Sequence, residues 1–179
     1  MALRVHFSRK AGVGLREKIL LLSGYGQGER LLPGLTGALE QAGSLRRLEA
    51  GADTGQAREA YARMTGGSGR GVAVGVGAGC VQALLLAQAF PLDALACLLP
   101  GADGRRGAPW PWWVALNNLF AITAPILVLE EPKGRLGRRI YRDAQARDKR
   151  FAQYEGGDQA ILTILEHLRP ICAANSLAR

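Results

Sequence analysis

Apolar residues along this chain fall into short unbroken runs, and between the runs they recur every three to four positions. KILLLSG (18–24), GVAVGVG (71–77), ALACLLP (94–100) and APILVLE (124–130) are too short for helices. Runs of this kind predict strands buried on both faces, as in a parallel sheet. ERLLPGLTGALEQAG, with Leu31, Leu32, Leu35 and Leu39 in helical register, predicts a helix with Pro33 in its first turn and Gly43 as its stop. DTGQAREAYARMTGG predicts another, capped near Asp53 or Thr54, and GCVQALLLAQAF (79–90) and QAILTILEHL (159–168) predict two more. Weaker strand patterns are LRVHF (3–7), SLRRLEA (44–50) and RFAQYE (150–155), and a loop with a short helix runs through the tryptophans. Strand and helix alternate, which predicts an α/β fold: a mostly parallel, doubly wound sheet flanked by helices, three layers in all. Ligands in such sheets bind beyond the carboxyl ends of the strands. A length of 179 residues fits one domain, 1–179.

Charge adds one feature. Much of the net +8 lies in KGRLGRRIYRDAQARDKR (133–150), where Leu136, Ile140, Tyr141 and Ala144 keep helical spacing and Asp143 and Asp148 interrupt the cations. A basic helix over 134–150, one face solvated, is the simplest reading. It leaves a protein partner open, through that helix or through the Trp cluster 110–113, and no nucleic-acid partner is expected. Three separated cysteines, Cys80, Cys97 and Cys172, give neither a disulfide framework nor a zinc spacing. No metal and no cofactor are expected. The amino terminus has no signal-peptide core, so the cytoplasm is expected. The uncharged stretches 71–92 and 107–129 approach bilayer-spanning length, but their glycines and prolines suit short elements joined by turns, and no membrane partner is expected.

VAVGVGAG (72–79) reads as strand, tight turn and helix, with Gly75 and Gly79 where crowding around the turn must be relieved. In this it resembles the nucleophile elbow of the alpha/beta hydrolase superfamily. ITAPILVLEEPKG (122–134) resembles that family's strand leading to the acidic residue. YEGGDQAILTILEHL (154–168) resembles its last turn and helix, and LLSGYGQG (21–28) its oxyanion loop. The resemblance spans roughly residues 18 to 169 and implies a small member of the superfamily.

It also implies a serine, cysteine or aspartate nucleophile, a histidine base and an orienting acid. Here the elbow position is Gly77, the acid position falls near Lys133 or Gly134, and the histidine position falls on Asp158 or Gln159. His6 and His167 lie in a leading strand and near the end of the last helix. Cys80, one turn beyond the elbow, reads as a small buried residue rather than a displaced nucleophile. The catalytic residues expected are none, and the chain reads as a pseudoenzyme that binds, assembles or regulates. A pocket lined by Ser23, Gly24, Tyr25 and Ala78 would offer backbone N–H groups to a small anionic ligand, with Trp110, Trp112, Trp113 and Phe120 as its wall or as a partner contact. Two enzyme or cofactor readings remain: an unorthodox serine or cysteine hydrolase of small esters or thioesters, using Ser23 or Cys80, and a dinucleotide-binding protein. The latter rests on GYGQG (24–28) with Glu49 for a ribose, but the third glycine of its fingerprint falls on Glu29.

Overall fold

The computed structural model describes residues 17–24, 30–48, 53–66, 70–99 and 112–177. Six strands form one sheet: β1 (Glu17–Ser23), β2 (Gly43–Leu48), β3 (Val72–Val76), β4 (Ala94–Leu99), β5 (Ile126–Glu130) and β6 (Lys149–Gln153). Six helices accompany them: α1 (Leu32–Ala42), α2 (Thr54–Thr65), α3 (Gly79–Ala89), α4 (Trp112–Leu116), α5 (Leu136–Asp143) and α6 (Gly157–Leu177). A single 3₁₀ turn, Leu119–Ala121, follows α4. The strand order is β2-β1-β3-β4-β5-β6 and every pairing is parallel. All six carboxyl ends therefore open on one side.

Alternation along each strand divides the core in two. Leu20, Leu22, Ala73, Leu95, Cys97, Ile126 and Val128 face α2, α3, α4 and α5. Their neighbours Ile19, Leu21, Val72, Val74, Ala96, Leu98, Leu127 and Leu129 face α1 and α6. Because both faces are covered, the central strands carry no polar alternation, which is why they read as continuous apolar runs. After β2 the chain passes over β1 to begin β3, so its direction across the sheet reverses between β1 and β3. That reversal opens a crevice at the carboxyl ends of the two strands.

Local chemistry fixes the helix boundaries. Asp53 caps α2 through its Oδ1, which accepts from Gln56 N at 2.7 Å, while Gln56 Oε1 accepts from Asp53 N at 2.9 Å. Tyr61, buried on α2, donates its hydroxyl to Gly71 O at 3.3 Å and ties that helix to the entry of β3. Pro33 lies in the first turn of α1, where a missing N–H costs nothing.

Two sequence expectations need correction. The basic segment is not one helix over 134–150: α5 ends at Asp143, Ala144 turns extended, and Lys149 enters β6 opposite Ile126. Lys149 Nζ donates to Ala144 O at 3.0 Å and to Arg142 O at 3.3 Å, satisfying carbonyls at the helix end. The last helix runs past 168 to Leu177, with Pro170 inside it. The stretch 71–92 divides into β3 and α3, and no described helix is long and apolar enough to cross a membrane. The expected strand LRVHF lies outside the described residues.

Candidate functional site

β3 ends at Val76, and the two-residue turn Gly77–Ala78 delivers the chain into α3. Gly77 has φ +58°, a left-handed conformation that only glycine adopts without strain. Its N–H donates to Leu98 O at 2.9 Å, and Gly24 N donates to Val76 O at 3.1 Å, so the turn is pinned to β4 on one side and β1 on the other.

The flanking glycines are required by close approach. A methyl group on Gly75 would lie 2.7 Å from Cys80 Cα, and one on Gly79 would lie 2.1 Å from Leu22 O. One on Gly24 would lie 2.3 Å from Ala78 Cβ. The backbones of β1, β3 and α3 thus converge with no side chain between them. In α3 the first short-range bonds are Cys80 N to Gly77 O at 3.1 Å and Val81 N to Ala78 O at 3.2 Å. The N–H groups of Ala78 and Gly79 precede these at the positive end of the helix.

Side chains expected near the elbow are engaged elsewhere. Ser23 is buried and its Oγ donates to Leu48 O at 3.4 Å, toward β2. Cys80 is wholly buried and its Sγ donates to Leu98 O at 3.4 Å. Burial, reinforced by the neighbouring Cys97 thiol, pushes the Cys80 thiol well above its ordinary range. A thiol held neutral in this way is a poor nucleophile. Tyr25, with Gly26, Gly28, Glu29 and Glu49 of the dinucleotide reading, and also His6 and Trp110, lie outside the described residues. Trp112 is half-buried against the α3 core, and Trp113 and Phe120 are 63% and 64% exposed.

At the acid position the structure reveals a residue that sequence reasoning passed over. β5 ends in Glu130, whose carboxylate is buried and whose Oε1 accepts from Leu136 N and Gly137 N, both at 2.8 Å. It caps α5. A methyl group on Gly134 would lie 2.2 Å from Glu130 Cγ and Cδ, so Gly134 is small because this side chain fills its space. The available signal was an acid closing an otherwise apolar strand six residues before a helix. Tyr154, directly after β6, is a second such residue: its N–H donates to Glu130 O at 3.2 Å and its hydroxyl is buried without a partner among the described residues. Burial, and then the neighbouring Glu131, Cys80 and Glu130, push its phenol upward.

Asp158 and Gln159 are exposed in the first turn of α6. Gln159 Oε1 accepts from Glu155 N at 3.2 Å, and Gln159 O accepts from Thr163 Oγ1 at 2.8 Å. Gly157 packs on Leu31 ahead of α1, where an added methyl would meet Leu31 Cδ2 at 2.3 Å. The structure thus brings Gly77, Ala78, Gly24, Gly134, Asp158 and Gln159 to one end of the sheet. His167 stands ten residues along α6, about 15 Å at the helical rise. There it neighbours the carbonyls of Leu95 and Pro125 at the amino ends of β4 and β5, and burial lowers its pKa. It belongs to the opposite end of the sheet from the elbow.

No family model matches the chain, and no curated protein matches it in sequence. Solved structures do match in shape. A monoacylglycerol lipase from Paleococcus ferrophilus superposes with a TM-score of 0.61 at 14% identity, over 86% of this chain and 94% of that one. The metagenome-derived lipolytic enzymes LipS and LipT give a match of 0.64 at 14% identity, over 87% and 95%. MGS-M2, an alpha/beta hydrolase from a Medee basin deep-sea metagenome library, gives 0.62 at 9% identity, over 90% and 92%. Likeness at such low identity speaks for the path of the chain alone, and together with six parallel strands and a glycine elbow after β3 it establishes that this chain has the alpha/beta hydrolase fold.

Proposed function

We propose that this chain is a catalytically inactive alpha/beta hydrolase-like protein, a pseudoenzyme that acts by binding, assembly or regulation. The observation that carries the reading is Gly77: at φ +58° it occupies the turn on which the fold presents a nucleophile, and it has no side chain to present. Acyl transfer also needs a base within hydrogen-bond reach of the nucleophile. His167 is at the other end of the sheet, and the position expected for the family's histidine falls on Asp158 or Gln159. Ser23 and Cys80 are committed to carbonyls of Leu48 and Leu98.

The elbow remains because it joins β3 to α3, and Gly24, Gly75 and Gly79 lock it in place whether or not chemistry follows. The head of α3 retains N–H groups suited to a carboxylate or phosphate. Fluorophosphonate labelling and short p-nitrophenyl ester turnover test the reading, with Ser23→Ala and Cys80→Ala beside the native protein. Silence in both assays from folded protein is expected. Labelling and turnover abolished by either substitution would instead establish an unorthodox serine or cysteine hydrolase.

A further inference from the structure

Among the described residues three large apolar side chains are exposed, and two of them, Trp113 and Phe120, lie seven positions apart on α4 and the 3₁₀ turn that follows it. The third, Leu162, is on α6, across the sheet. The 3₁₀ turn packs against both α3 and α5, which puts Phe120 beside the helix that carries the chain's strongest charge. Residues 133–150 hold eight basic and two acidic side chains, six net positive charges.

The geometry of α5 separates these charges from the core. Ile140 and Gly137 are buried, while Arg135, Arg138, Arg139 and Arg142 are all exposed on the outer face. Asp143 pairs with Arg139 at 3.7 Å and with Arg142 at 2.7 Å, and Asp148 pairs with Arg150 at 3.6 Å. Arg135 and Arg147 meet no carboxylate among the described residues, and Arg138 lies over the Phe151 ring at 6.0 Å. Two acids do not neutralise this surface. Exposed aromatics beside a surplus of arginine charge match one kind of partner in both respects: a lipid interface that takes up aromatic rings at headgroup depth and offers phosphates to guanidinium groups.

We infer that the surface formed by Trp113, Phe120, Arg138, Arg139 and Arg142 docks the protein onto membranes rich in anionic lipid. Contact is peripheral: the rings enter the headgroup layer and the arginines bind phosphates. The surface lies over the α3–α5 layer and is separate from the elbow. It is therefore independent of whether Gly77 marks a retired catalytic site.

The test is cosedimentation of the full chain with phosphatidylcholine vesicles, with and without phosphatidylglycerol, while tryptophan emission is followed. Binding to the anionic vesicles only is expected, with a blue-shifted emission, weakening as salt rises. Arg138→Ala/Arg139→Ala/Arg142→Ala should lower partitioning by about a hundredfold, at about fivefold per charge. Trp113→Ala/Phe120→Ala should reduce it several-fold and abolish the blue shift. Arg46→Ala/Arg58→Ala/Arg63→Ala removes as many charges on β2 and α2 and should leave most binding intact. All the substituted side chains are exposed or half-buried, and circular dichroism confirms that each variant is folded. Equal binding to neutral vesicles, equal loss in both arginine triples, or binding to RNA or polyglutamate without vesicle binding would each overturn the inference.

Discussion

Gly24 packs against Ala78 across the β1–β3 crevice: a Cβ on Gly24 would lie 2.3 Å from Ala78 Cβ and 2.8 Å from Ala78 N. This contact seals the point where the loop after β1 meets the elbow. Gly24→Ala must push the loop or the elbow aside, and overpacking of this kind costs about 1–3 kcal/mol. Ala78→Gly removes the nearest atom but not the backbone beneath it, so the double variant should recover part of the loss. Urea unfolding of the four proteins measures that coupling, and additivity would show that the contact is absent.

Gly77→Ala should cost about 1–2 kcal/mol, the penalty for a side chain in the left-handed region. Gly79→Ala should cost more, because its methyl meets the Leu22 carbonyl at 2.1 Å and β1 itself must shift. Gly77→Ser restores a hydroxyl without a base, and ester hydrolysis should stay at background. Thermal melts rank the variants, and a Gly77→Ala protein as stable as the native one would contradict the turn geometry.

The parallel sheet was legible because its strands are buried on both faces, which leaves uninterrupted apolar runs such as ILLL at 19–22 and VAV at 72–74. The elbow was legible because tight turns and close approaches admit glycine almost alone. Less readable was the edge of the sheet. β6 is only partly buried, and its Lys149 and Arg150 continue the charge pattern of α5, so period alone did not show where helix gives way to strand. Glu130 was hidden for another reason: its partners, Leu136 N and Gly137 N, are backbone groups, which carry no signature in sequence.

Glu130→Ala should destabilise the protein by about 2–4 kcal/mol, since two N–H groups at the start of α5 lose their acceptor. Glu130→Gln keeps an acceptor in the same place and should lose less. Hydrogen exchange at Leu136 and Gly137 should quicken most in the alanine variant. Unchanged protection there would mean that the carboxylate does not cap the helix.

Cys80 and Cys97 should both resist iodoacetamide in the native protein at neutral pH and react together on unfolding. Burial holds the Cys80 thiol neutral and closes it to reagents, and Cys97 is equally enclosed. Peptide mapping after alkylation reads both sites separately. Rapid native labelling of Cys80 would reopen it as a nucleophile.

His167 should make the protein less stable as the pH falls through the histidine range. Its folded pKa lies below the unfolded value of about 6.5, because burial disfavours the imidazolium more than Asp148 and the Leu95 and Pro125 carbonyls favour it. The neutral ring's contribution is complete above pH 6.5. Below it the unfolded chain gains a proton that the folded chain refuses, so stability falls until the folded pKa is reached. The slope cannot exceed about 1.4 kcal/mol per pH unit for one proton. Urea unfolding at intervals between pH 7.5 and about 5, above the main carboxylate range, should show this decline in the native protein and in His6→Ala. His167→Gln should flatten it. A decline that survives in His167→Gln would assign the titration to another group and remove the burial of this imidazole as its cause.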